Sequence, residues 1–177
     1  MMGKKLCVVV CACALLGSLC GWASAQDYEV GKGLNVSLGF FQLTDSDAKD
    51  MYGDGFGLTV EKMLPSEGER QLSASIGYIA HSSTYGSLDV KLTNIPVLFN
   101  VRVVKESGAN NWYYGAGIGF NRMNISVSGF GSDPTTDFCF QLMGGMKFGK
   151  NMFADVRSLS GGRKGNSGLM FNVGASF

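Results

Sequence analysis

His81 is the chain's single histidine, so a metal site built from several imidazoles is excluded. His81-Ser82-Ser83 places an imidazole two residues from a hydroxyl, the pairing a base and a nucleophile need. It sits where a loop begins, and it reads as a loop histidine. Asp45, Asp47, Asp50 and Asp54 crowd one stretch and raise the question of calcium. Lys49 breaks the spacing of a calcium loop and no glutamate closes it. A solvated surface loop, open to divalent bridging, is the reading. Gly144-x-x-x-x-Gly149-Lys150 resembles a phosphate loop, but Asn151 stands where a metal-binding hydroxyl belongs and no helix follows. Gly115, Gly117 and Gly119 are spaced strictly by two, which is not a dinucleotide fingerprint. From these residues we expect no catalytic set, no cofactor and no metal.

The elements that carry these residues alternate with period two, the mark of strands with two different faces. Leu34, Val36, Leu38 and Phe40 oppose Asn35, Ser37 and Gly39. Phe56, Leu58 and Val60 oppose Gly57, Thr59 and Glu61. Leu72, Ala74, Ile76 and Tyr78 oppose Gln71, Ser73, Ser75 and Gly77. Ile95, Val97, Phe99, Val101 and Val103 oppose Asn94, Pro96, Leu98, Asn100 and Arg102. Upstream the phase flips, with Leu88, Val90 and Leu92 apolar, so a bulge or pairing defect is expected near Pro96.

Trp112, Tyr114, Ala116, Ile118 and Phe120 oppose Tyr113 and the three glycines. Phe138, Phe140, Leu142, Met146 and Phe148 oppose Asp137, Cys139, Gln141, Met143 and Lys147. Met152, Ala154 and Val156 oppose Phe153, Asp155 and Arg157, and the last strand sets Leu169, Phe171, Val173, Ala175 and Phe177 against Met170, Asn172, Gly174 and Ser176. Eight strands of roughly ten residues suit a tilted bilayer crossing. Thr44–Gly53, His81–Ser87, Asn121–Thr135 and Ser160–Ser167 are long polar connections, and the intervening ones are short. The expected fold is therefore all-β: an eight-stranded antiparallel up-and-down transmembrane β-barrel, with both termini on the short-turn, periplasmic side.

Polar-face residues would then line a bore only wide enough for side chains. Glu61, Arg102, Lys147, Asp155 and Arg157 form an expected internal charge network, with Asn100, Gln141 and Asn172 beside them. Charges there must pair, because isolated burial is costly. Arg102 can meet Asp155 or Glu61 across the bore. The network reads as a salt-bridged plug, or alternatively as the lining of a narrow conduit. The glycines would leave room for bulky side chains reaching across.

Met1–Ala25 has the build of a secretory signal: Lys4 and Lys5, an apolar run over Leu6–Leu16, and Ala23-Ser24-Ala25 before the expected cleavage. The domain is then 26–177, after a leader over 1–25. Four of the five cysteines leave with the leader, and Cys139 has no partner within the chain. Fifteen basic against fourteen acidic residues leave no excess for nucleic acid. Charged residues are 16% of the chain, below the about 25% of soluble domains.

Asn94-Ile95-Pro96-Val97-Leu98-Phe99-Asn100-Val101-Arg102, Trp112-Tyr113-Tyr114-Gly115-Ala116-Gly117-Ile118-Gly119-Phe120 and the alternation ending in Phe177 carry a family likeness. The chain resembles the small eight-stranded outer-membrane barrels of the OmpA/OmpX type, often described as porin-like. The resemblance covers 26–177 and is weakest in the seventh strand. It implies a monomer in the outer membrane of a Gram-negative envelope, in contact with outer-membrane lipids and lipopolysaccharide. It also implies that Phe171, Val173 and Phe177 form a C-terminal signal for the barrel-assembly machinery. Function is expected to be non-enzymatic, structural or surface-interacting through the long loops. The alternative is a narrow channel or a transporter of small, even hydrophobic, molecules. A lipid A-modifying enzyme ranks third: some barrels of this kind use His, Ser and an acid on the membrane-facing wall, and His81 lacks that setting.

Overall fold

A computed structural model describes residues 33–177, apart from 67–68, 86–87, 108–109 and 164. The leader over 1–25 lies outside the described residues. The elements are β1 (Leu34–Leu43), α1 (Ser46–Tyr52), β2 (Gly55–Leu64), β3 (Arg70–Tyr85), β4 (Leu88–Ser107), β5 (Asn110–Val127), β6 (Gly131–Phe148), β7 (Met152–Gly161) and β8 (Gly168–Ser176). Each strand pairs antiparallel with its neighbour, and β1 pairs with β8, so the sheet closes into an eight-stranded barrel. Phe177 completes the closure: its N–H donates to Leu34 O at 2.8 Å and its O accepts from Leu34 N at 2.9 Å.

The period-two pattern sorts the faces as expected. Ile76, Val97, Ile118, Phe120, Leu142 and Val173 stand exposed on the outer wall, while Asn35, Ser73, Asn100, Arg102 and Asn172 are buried inside. An exposed belt this apolar suits hydrocarbon, and closure leaves no open sheet edge within it. Phe40 packs on Phe56 and Phe120 on Phe138 as edge-to-face pairs at 5.7 and 6.1 Å, at the upper margin of the belt.

Four strands are much longer than a crossing requires. A tilted strand crosses in about 9–11 residues, yet β4 has 20 and β5 and β6 have 18. The segments expected as loops at His81–Ser87 and Asn121–Thr135 are mostly strand, and the β5–β6 reversal is confined to residues 128–130. At that end β6 pairs with β7 only from Cys139, and β3 pairs with β2 only up to His81. The upper parts of β3–β6 therefore project as a four-stranded sheet. Its tip, Phe130, is 81% exposed, held by Gly129 and Gly131 at positive φ.

The phase flip in β4 has a different cause from the one expected. The β3–β4 and β4–β5 registers run without a shift, so there is no bulge. The pairing defect is present: pairing skips Gly77–Tyr78 opposite Ile95–Pro96, where Pro96 has no N–H to give. What changes along the strand is the solvent outside. Below Ile95 the outer face meets an apolar medium; above it Lys91 is exposed while Val90 and Leu92 are buried inside. β5 inverts at the matching place. Arg122, which pairs with Ile95, points out, and Met123, Ile125 and Val127 turn inward.

Thr44–Gly53, expected as a solvated loop, contains α1. Asp45 caps it, accepting from Ala48 N at 2.9 Å. Gly53 ends it at φ +68°, its N–H reaching Lys49 O at 2.8 Å. The spacing of four between Ala48 and Tyr52 gives α1 one buried face. That face covers the mouth of the barrel remote from the termini.

Candidate functional site

The interior has two storeys. Toward the termini it is polar; toward α1 it is an ordinary apolar core of Phe41, Leu43, Ile79, Leu92, Leu98, Met123, Leu159 and Met170, with Ala48 and Tyr52 from α1. The expected inside-out pattern therefore holds only within the belt. Above it, where water surrounds the sheet, the interior needs the apolar packing of a soluble protein.

The lower storey is organised by charge. Alternation on β2, β4 and β7 aims Glu61, Arg102, Asp155 and Arg157 inward, all at most 4% exposed. Arg157 Nη2 donates to Asp155 Oδ2 at 2.8 Å and to Glu61 Oε2 at 3.2 Å. Its Nε donates to Asp155 Oδ1 at 3.0 Å. Arg102 Nη2 lies 3.1 Å from Glu61 Oε1. Of the two acids open to Arg102 from sequence, Glu61 is the one it meets. The guanidinium also lies 5.2 Å from the Tyr113 ring centre.

Neutral donors complete the cluster. Tyr113 Oη donates to Asp155 Oδ2 at 2.8 Å, and Asn172 Nδ2 to Asp155 Oδ1 at 2.7 Å. Ser73 Oγ donates to Glu61. Gln141 Nε2 donates to Asn100 Oδ1 at 2.8 Å, and Asn100 Nδ2 to Ser75 Oγ at 3.0 Å. Two arginines facing two carboxylates leave the cluster electrically balanced, which is what makes its burial tolerable. Lys147, also expected here, lines a polar cavity at the terminal end with Asn111, Lys150, Asn151 and Ser176.

Between the storeys a cavity of about 20 Å³ is bounded by Thr59, Ser75, Gln141 and Arg157 below and Phe41 and Met170 above. That holds about one water, so side chains fill the bore at this level. The β5 glycines serve the neighbouring strand rather than side chains from across. A Cβ on Gly117 would collide with Asn100 Oδ1, and one on Gly115 would meet Arg102 Cα at 2.8 Å. Gly117→Val is therefore expected to cost about 1–3 kcal/mol. Gly144→Val, with open space around it, should cost little; urea titration in lipid vesicles compares the two.

Tyr113 and Ser73 were not singled out from sequence. The available signal was Tyr113 itself, a large polar ring on a face otherwise made of glycine. A buried amide cluster in the upper storey was also missed. Asn94, Asn121 and Asn166 are fully buried; Asn121 Nδ2 donates to Asn94 Oδ1 at 2.9 Å and to Asn166, and Asn94 Nδ2 donates to Gly165 O at 3.1 Å. The cluster ties the β7–β8 turn into the mouth, where a Cβ on Gly165 would stand 3.2 Å from Leu92 and 3.6 Å from Tyr52. His81 faces inward, not onto the wall, and Cys139 is buried within the same apolar cluster as Met123 and Leu159. Among the described residues no group of three or more His, Cys, Asp or Glu is placed to hold a metal. Phe171 and Val173 lie on the outer wall of the closing strand.

A family model described as outer membrane protein β-barrel domain matches residues 11–176. No curated protein matches the chain. Among solved structures, Neisserial surface protein A superposes with a TM-score of 0.64 at 16% identity, over 82% of this chain and 96% of that one. The N-terminal β-barrel domain of Pseudomonas aeruginosa OprF gives 0.51 at 13% identity, over 84% and 100%. At such identities the likeness is one of fold.

Proposed function

The chain belongs to the outer membrane protein β-barrel family, and from that premise we propose that it is a closed, non-enzymatic barrel acting at the cell surface through its projecting sheet. The observation that carries this reading is the contrast between the two ends. The bore is filled by the charge cluster below and capped by α1 above, whereas β3–β6 continue beyond the belt to an exposed aromatic tip. The projecting part of β3–β6 adds nothing to the bore but supplies a contact surface. In this reading Met1–Ala25 is removed on export, the termini face the periplasm, and the α1 end faces outward among lipopolysaccharide. Phe171, Val173 and Phe177 on the closing strand serve recognition by the assembly machinery, and the barrel works as a monomer. The inward seat of His81 supports the non-enzymatic reading, because lipid substrates reach the outer wall.

Two measurements test it. The purified protein in planar bilayers is expected to show no steady open conductance; a stable open level would favour transport instead. Binding of the protein in nanodiscs to arrays of glycans and extracellular proteins is expected to weaken at least tenfold when Phe130→Ser is introduced at the tip. Ligands bound equally by both forms would remove the sheet from the proposed role. Mass measurement of the mature chain should show Gln26 as the first residue.

A further inference from the structure

His81 occupies an unusual position for an ionisable group. It lies on β3 three residues beyond Tyr78, above the apolar belt, and its side chain is 2% exposed. Nδ1 is 3.0 Å from Gly53 O. A carbonyl only accepts, so Nδ1 carries the proton and Nε2 holds the lone pair in the neutral ring. Nε2 is buried without a hydrogen-bond partner. The Phe41 ring stands 5.5 Å away, nearly perpendicular. Gly53 is the residue that terminates α1, so this one bond joins the end of the helix to the barrel wall.

We propose that α1 is an acid-released lid over the apolar upper storey, latched by neutral His81 through the Gly53 carbonyl. Protonation would place a second N–H, and a full charge, at Nε2 with no acceptor within reach. A buried cation of that kind costs several times a surface contact. The strands around the ring offer Nε2 no acceptor. β1 contributes Phe41, β2 contributes Gly55, and β4 contributes Leu92 opposite His81 in register. Tyr52 of α1 is neutral in acid. Burial is the largest influence on the ring and lowers its affinity for protons, outweighing the Gly53 carbonyl and the charge of Asp54, which both favour the imidazolium. The remaining charged groups of this segment, Asp45, Asp47, Lys49 and Asp50, lie on the outer side of α1 or at its cap, not on its buried face.

The sign follows from linkage. A histidine that titrates below its free value of about 6.5 stabilises the latched state fully above that pH and withdraws the stabilisation as pH falls below it. The lid therefore closes at neutral pH and loosens in acid. Ala48 and Tyr52 of α1 belong to the apolar cluster of the upper storey, so release of α1 would uncover the lining from Phe41 to Met170.

The test is hydrogen exchange of residues 46–53 in nanodiscs at pH 7.5 and 5.5, corrected for intrinsic rates. The expected result is a rise in lid opening of up to about tenfold at pH 5.5, one decade per unit below the free pKa. His81→Gln keeps an N–H for Gly53 O and does not titrate, so its opening should change less than twofold. The full wild-type response in His81→Gln would overturn the proposal by assigning the effect to the carboxylates. Equal protection of the wild type at both pH values would also overturn it. Should the variant fail to fold, the wild type decides through the titration of its single histidine. Nitrogen-15 NMR should find the Nδ1–H tautomer at pH 7.5, and a ring titration whose midpoint coincides with that of lid exchange; an Nε2–H tautomer or separate midpoints would refute the latch.

Discussion

Arg157→Gln is expected to lower the unfolding free energy by about 3–5 kcal/mol, the range for stranding a buried charge. Among the described residues, Arg157 is the one side chain that touches both Asp155 and Glu61. Without it Glu61 still has Arg102, but Asp155 keeps only the neutral donors Tyr113 and Asn172. Asp155→Asn in the same chain should therefore recover part of the loss, giving a double-mutant cost well below the sum. The geometry also ranks two further cycles. Coupling between Arg102 and Glu61, which lie 3.1 Å apart, should exceed coupling between Arg102 and Asp155. Reversible urea unfolding in lipid vesicles reads all of these. Equal coupling in both cycles would mean that the carboxylates share one diffuse field instead of distinct partners.

The second large effect concerns the wall. Ile118 points outward and is 59% exposed, so Ile118→Arg sets a cation against hydrocarbon at about 2–4 kcal/mol near the midplane. Val97→Arg should behave alike, and Gln141→Glu on the inner face should be milder. Above the inversion the rule reverses. Ser126→Arg, outward on the same strand, should cost within about 0.5 kcal/mol. Ile125→Arg, which drives a charge into the upper core, should be the damaging change there. If the four arginine variants instead rank by position along the chain, regardless of face, the two-storey interior is wrong.

The strands and their faces within the belt were legible because each residue has one of two environments, and the period-two pattern records which. The inward aim of Glu61, Arg102, Asp155 and Arg157 could be read for the same reason. Their pairing could not, because a face assignment says nothing about depth in a tilted barrel. The upper storey was misjudged on one assumption, that a polar residue on a membrane barrel marks the inside. In Arg122–Val127 the polar residues mark the outside, and the alternation looked like a loop because its polarity had turned over. α1 was hidden by the four aspartates in and around it. They suggested a metal or a solvated loop, whereas Asp45 is a cap and the informative residues were Ala48 and Tyr52, one helical turn apart.

The inversion shared by β4 and β5 also works as a waterline. Lys91 and Arg122 sit just above it on the outer wall, and Val97 and Ile118 just below. Letting the barrel sink by two residues along its tilted strands, about 5 Å of depth, would submerge Arg122 in oil. Raising it by the same step would lift Phe120 and Phe138 toward the water. The hull thus floats at one draught, fixed to within a few ångströms by side chains that touch no ligand. Phe130 therefore rides at a set height above the lipid, and a thicker or thinner membrane would have to adjust at the opposite rim, leaving the reach of the tip unchanged.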